Sequence, residues 1–142
     1  MASTPSMPED YEKRAQELNL APPPAVREAL AMADTQVIDC RSSDEIAAAA
    51  KDTTSVPGIR DGKVDHPNWH QTNCAGGECQ EISKVAESMP KPSNEKPVVV
   101  IYCRSGRRAS WAKNSLVKDY GYSPDQILNA GGYNDVVSIL KN

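Results

Sequence analysis

Phenylalanine is absent from this 142-residue chain, and only 5% of its residues are aromatic. The interior must therefore come from Val, Ile, Leu, Ala, Tyr and the two Trp. Long apolar runs are missing too. The longest, Val98 to Cys103, falls far short of the roughly twenty residues that cross a bilayer, so no membrane association is expected. Met1 to Asp10 has neither a basic region nor an apolar core, which leaves no signal peptide to read, and it is poorer in Arg than an intact transit peptide. A presequence trimmed from the chain remains compatible with that. A net charge of −3 argues against general nucleic-acid binding. Cysteine is sparse: Cys40, Cys74, Cys79 and Cys103 are too few to staple a domain of this size. The expected setting is a reducing compartment, cytoplasmic or organellar, with at least one working thiol.

One more absence is local. No acidic residue occurs between Glu95 and Asp119, whereas Lys96, Arg104, Arg107, Arg108, Lys113 and Lys118 all fall there. A basic island in a mildly acidic chain suits a small anionic substrate better than a polyanion. Within it, the β-branched run Val98-Val99-Val100-Ile101 leads through Tyr102 to Cys103, and Arg104-Ser105-Gly106-Arg107-Arg108 turns the chain into a helix-forming segment. A thiol at a strand-to-helix switch sits where backbone N–H groups and the positive helix end converge on an anion. Such surroundings favour the thiolate, the nucleophilic form of cysteine. The expectation is one ionised sulfur held at the mouth of a cramped, cationic backbone ring.

The rest of the chain supplies a frame. Periodicity predicts helices over 8–18, from Pro24 through Val26, Leu30 and Ala33, from Ser43-Asp44-Glu45 onward, and over 78–89, 108–120 and 133–140. Strands are predicted over 35–39, 98–102 and 126–128, with Gly131-Gly132 read as a turn. Between Lys51 and Gly77 only Val56 to Ile59 suggests a brief strand; the remainder reads as a long loop of the kind that is usually functional or mobile. Strands alternating with helices imply an α/β fold, a central parallel sheet with helices on both faces. In such sheets ligands bind outside the carboxyl ends of the strands, and Cys103 lies at that edge.

Four separate patches, in order, resemble the rhodanese-like domain family. Val37-Ile38-Asp39-Cys40-Arg41 with Asp44-Glu45-Ile46 is similar to the opening V-I-D-V-R-x-x-x-E of that family, and Val56-Pro57-Gly58-Ile59 to its I-P-G-A stretch. Val98 to Arg108 resembles the strand and active loop C-R-x-G-x-R, and Asn129-Ala130-Gly131-Gly132 the N-L-x-G-G that follows. The resemblance covers roughly Ala25 to Leu140; residues 1–23 read as an N-terminal helical arm and Pro-rich linker, and 24–142 as the domain itself. It implies a single-domain sulfurtransferase of the thiosulfate:cyanide type with ping-pong kinetics and no organic cofactor or metal. In that reading Cys103 carries the persulfide, and the amides of Arg104, Ser105, Gly106, Arg107 and Arg108 cradle it. The arginine side chains attract the oxyanion of a small sulfur donor, and a thiol, a protein thiol or cyanide accepts the sulfur.

Two departures are visible. Asp52-Thr53-Thr54-Ser55 stands where the family usually has Gly-His, and Val136 where it often has Trp. The nearest rivals, cysteine phosphatases and arsenate reductases, need H-C-x5-R; here Tyr102 replaces the His and Ala109 occupies the arginine position, with Arg108 one residue short. A rival of another class is an inactive rhodanese module used for docking or for persulfide or redox sensing. His66, His70, Cys74 and Cys79 form H-x3-H-x3-C-x4-C. The simplest account leaves them as ordinary loop residues; a tetrahedral zinc shell, or Cys74 and Cys79 acting as a disulfide or as resolving thiols, are the alternatives. Cys40 reads as a small buried packing residue. Asp39 with Arg41 reads as a brace for the active loop or a plain ion pair, and Trp69 and Trp111 as packing residues or shades over the site.

Overall fold

The apolar run expected to be buried on both sides is the centre of the sheet in a computed structural model that describes residues 6–52 and 55–141. In chain order the elements are α1 (Tyr11–Leu18), α2 (Pro23–Leu30), β1 (Gln36–Asp39), α3 (Ser43–Ala50), β2 (Ile59–Arg60), β3 (Lys63–Val64), β4 (Trp69–Gln71), β5 (Cys74–Ala75), β6 (Glu78–Cys79), α4 (Ile82–Ser88), β7 (Val99–Cys103), α5 (Arg107–Asp119), β8 (Ile127–Gly132) and α6 (Tyr133–Lys141). The main sheet has the order β4-β1-β7-β8, every pair parallel. Two antiparallel hairpins, β2-β3 and β5-β6, sit outside it.

Alternation along the buried strands divides the core in two. Ile38, Cys40, Val99, Ile101 and Cys103 face a layer that contains Ile82 and Val85 of α4 and Ala109, Ala112 and Leu116 of α5. Val37, Val100 and Tyr102 face the other way, onto Val26 and Ala29 of α2 and Val136 and Ile139 of α6. Helices therefore cover both faces, as a wholly parallel sheet requires. The period-3.6 face of α5 is small where it crosses the sheet (Ala109, Ala112), which lets the helix lie close to β7 behind the loop.

The stretch 51–77, expected to be mostly loop, holds the edge strand β4 in register with β1 (Val37 opposite Trp69) and the first half of the β5-β6 hairpin. Each piece is two or three residues long, too short to show a period. The helix expected over 78–89 begins only at Ile82, because Glu78 and Cys79 pair back on Ala75 and Cys74. Gly131-Gly132 is the end of β8, where Gly132 pairs with Cys103, and not a turn. Of the departure at Asp52 to Ser55, Thr53 and Thr54 lie outside the described residues, as do residues 1–5. Among the described residues no helix is long and apolar enough to cross a membrane.

Candidate active site

Cys103 ends β7, and Gly106, with φ of 108°, reverses the chain into α5. That positive φ favours glycine, and crowding adds to it: a Cβ there would stand 3.0 Å from Leu20 Cδ2 and 3.1 Å from Gly131 Cα. The Gly106 N–H donates to Cys103 Sγ at 3.0 Å. An amide aimed at the sulfur, at the N-terminal end of a helix, is the electrostatic element the sequence pattern implies.

Two long-range contacts hold this loop, each anchored by further bonds. Asn129 Nδ2 donates to the Gly106 carbonyl at 2.9 Å, and Asn129 Oδ1 accepts from the Gly131 amide at 2.9 Å. Arg14 of α1 donates to the Ser105 carbonyl at 2.9 Å and pairs with Asp135 at 2.6 Å. Asp135 Oδ2 in turn accepts from the Gly132 amide at 2.6 Å. The arm before Pro22 is thereby tied into the active loop. Sequence reasoning missed Arg14 and Asp135, because nothing local marks an arginine in a polar helix as the partner of a loop ninety-one residues away.

The arginines divide into two kinds. Arg108 makes a two-pronged pair with Glu45 at 2.6 and 2.7 Å, which ties α5 to α3 across the carboxyl edge of the sheet. Arg104 and Arg107 are exposed, and no carboxylate pairs with either among the described residues. Arg104 lines a cavity of about 280 Å³ with Arg41, Glu45, Ala48, Ala49, Tyr133 and Asn134. Cys103 itself is only 1% exposed. This corrects the expectation of a sulfur standing open at the mouth: the thiol is buried.

Glu45 also accepts from the Ser42 amide at 3.0 Å, completing the N-cap of α3. The Arg108 guanidinium, helped by that amide, lowers the Glu45 pKa to about 2 against partial burial. A carboxylate depressed in the fold contributes stability in full above its ordinary value near 4.5, and the contribution disappears as pH falls through its folded value. Both side chains are partly exposed (21% and 28%), so the pair is worth about 1 kcal/mol after screening. Glu45→Gln keeps an acceptor for Ser42 while removing the charge. Urea melts should show the variant about 1 kcal/mol less stable at pH 7, the gap closing between about pH 4 and 2. A gap independent of pH refutes the ionic account.

Asp39 and Arg41 are buried, paired at 2.7 Å, with Arg41 also donating to the Gly62 carbonyl at 2.8 Å. The guanidinium lies over the rings of Tyr133 (4.4 Å) and Tyr102 (5.3 Å). These contacts brace the β2-β3 hairpin and the sheet end, not the Cys103 loop. Breaking such a pair by removing one partner costs about 3–5 kcal/mol. Tyr102 faces away from the thiol; its hydroxyl accepts from the Val64 amide and from Trp69 Nε1, both at 3.1 Å, and burial pushes its pKa upward. It therefore offers Cys103 no proton.

The four-ligand cluster read from the loop comes apart. His66 is engaged by the Met32 carbonyl and the Asn68 amide, and His70 by Gln36 Oε1. Cys74 and Cys79, taken in the simplest account as ordinary loop residues, are joined by a disulfide across the β5-β6 hairpin. Among the described residues the one sulfur cluster is Cys40, Cys74 and Cys79.

The family model for the rhodanese-like domain matches residues 23–139 of the chain. The chain belongs to the rhodanese-like domain family. No curated protein and no solved structure gives a significant match. Arg14, which grips the active loop, lies before the matched segment of this rhodanese-like domain, whereas Asn129, Gly132 and Asp135 lie within it. The parallel sheet, the helices on both faces and the position of the loop agree with membership.

Proposed function

We propose that this rhodanese-like domain is a sulfurtransferase in which Cys103 is the nucleophile. The observation that carries the reading is the Gly106 amide 3.0 Å from Cys103 Sγ, at the junction of β7 and α5. Cys103 Sγ attacks the sulfane sulfur of a thiosulfate-like donor, the donor's S–S bond breaks, and sulfite departs with the bonding pair. The extra sulfur then sits as a persulfide among the first-turn N–H groups of α5, which have no partner within the helix. Exposed Arg104 and Arg107 supply positive charge for the incoming oxyanion, and the cavity beside Arg104 gives it a place to dock. A thiol, a protein thiol or cyanide takes the sulfur in the second half-reaction, which makes the scheme ping-pong.

The test is intact mass after incubation with thiosulfate, a mercaptopyruvate-type donor and a small persulfide. One sulfur mass should be gained, located on the peptide containing Cys103 and removed by cyanide. A chain that stays unlabelled by all three donors has no such activity.

A further inference from the structure

The disulfide and the thiol beside it have no part in that scheme. Cys40 follows β1 by one residue, and its amide donates to the Tyr102 carbonyl at 2.8 Å. The register Asp39 opposite Tyr102 therefore continues to Cys40 beside Cys103. Both are buried on the same face of the sheet, in one apolar cluster. Adjacent strands lie about 4.8 Å apart, inside the range of Cα separations that sulfur–sulfur bonding needs. On its far side, Cys40 Sγ and the Sγ atoms of Cys74 and Cys79 all lie within 4.8 Å of one another. Cys79 Sγ also sits 3.8 Å from the Arg108 carbonyl oxygen, against the first turn of α5. All four cysteines of the chain thus share one apolar cluster.

We propose that Cys40, Cys74 and Cys79 form an internal acceptor that discharges the Cys103 persulfide as hydrogen sulfide and is itself oxidised to the Cys74–Cys79 disulfide. This rests on the sulfurtransferase reading above. Cys40 Sγ attacks the outer sulfur of the persulfide; the bond to Cys103 breaks, and the Cys40 proton passes to Cys103. One hairpin sulfur then attacks Cys40 Sγ, the persulfide bond breaks, and the terminal sulfur leaves as hydrogen sulfide with the hairpin thiol's proton. The second hairpin sulfur attacks the first, forms the Cys74–Cys79 bond and returns Cys40 as a thiol. The sulfane sulfur gains the two electrons that the dithiol loses. An external dithiol reductant then restores the hairpin.

Three features suit the hairpin to this role. Its register sets Cys74 directly opposite Cys79, so the two sulfurs face each other across the hairpin. The loop it closes spans only five positions, where cross-linking stabilises a chain least. Burial, the nearby Cys103 and Asp39 all push the Cys40 thiol upward, with Arg108 opposing. Cys40, fully buried beside Cys103, is placed to take sulfur that Cys103 already carries.

The experiment uses the full chain reduced with a phosphine, which is then removed without air. Thiosulfate is added with no other thiol present. About one hydrogen sulfide per chain is expected, with loss of two thiols and recovery of a Cys74–Cys79 linked peptide. Chain oxidised beforehand should carry the Cys103 persulfide and release none. The double variant Cys74→Ser/Cys79→Ser should cut the yield more than tenfold, a single serine variant that keeps the attacking sulfur should stall as a mixed disulfide with Cys40, and Cys40→Ala should slow release by a similar factor. The Cys103 adduct is weighed in every sample. A persulfide that forms on the reduced wild-type chain without sulfide release overturns the relay and leaves the sulfurtransferase reading standing. Wild-type release from the double serine variant overturns it as well, as does zinc held stoichiometrically at the three thiols with no release. Failure to form the adduct on the oxidised chain removes both proposals.

Discussion

Replacing Gly132 with alanine should slow loading of Cys103 by thiosulfate about a hundredfold. Gly132 is the last residue of β8, and its bare Cα faces the backbone of the active loop. A Cβ at that point would overlap the Arg104 carbonyl oxygen and lie 3.2 Å from the Ser105 amide nitrogen. Both are backbone atoms, so no side-chain rotation relieves the clash. Gly132 cannot retreat either, because its amide is held by Asp135 at 2.6 Å. The loop must move instead, against the grip of Arg14 on Ser105 and of Asn129 on Gly106. A displacement of about 1 Å in a positioned nucleophile costs on the order of 10²-fold in rate. Overpacking adds about 1–3 kcal/mol of lost stability. Loading rates by mass and urea melts measure the two effects separately. Near-normal loading in Gly132→Ala would mean that the loop has slack and that its backbone geometry is not what positions the sulfur.

The same contact shows which parts of this protein were open to sequence reasoning. β7 and α5 were legible because each is long and periodic enough to announce itself, and Cys103 followed from standing between them. The α3 start was legible from Ser42, Asp44 and Glu45, whose capping hydrogen bonds are local. Asn129 to Gly132 was matched as a pattern, but the reason for the second glycine lies in Arg104, a residue on another strand's loop. β4 went unseen because three residues at a sheet edge carry no alternation, and their pairing partner is β1. Burial of Cys103 was also hidden, as was the pair between Glu45 and Arg108, which joins residues sixty-three apart that look ordinary alone. Cys40 is the plainest case. A valine-like packing role and a place beside the nucleophile are the same residue seen from one strand and then from two.

Cys103→Ser should remove the sulfur adduct altogether and lower donor turnover by more than about a thousandfold, a loss typical of removing a covalent nucleophile. The chemistry is decisive because a hydroxyl is a weak nucleophile at its ordinary pKa, and neighbouring Tyr102 points to the opposite face and cannot act as its base. The structure tolerates the change. Serine is slightly smaller than cysteine, and its oxygen can accept the Gly106 amide that now meets Sγ at 3.0 Å. Stability should therefore move by no more than about 1 kcal/mol, the scale of one hydrogen bond. That separation matters, since a variant that merely unfolds says nothing about the nucleophile. Peptide mapping of the serine variant after thiosulfate supplies the discriminating readout. Sulfur found on Cys40 would make Cys40 a primary nucleophile, contrary to its burial and its upward-shifted thiol. An unlabelled chain with an intact Cys74–Cys79 disulfide leaves Cys103 as the entry point for sulfur.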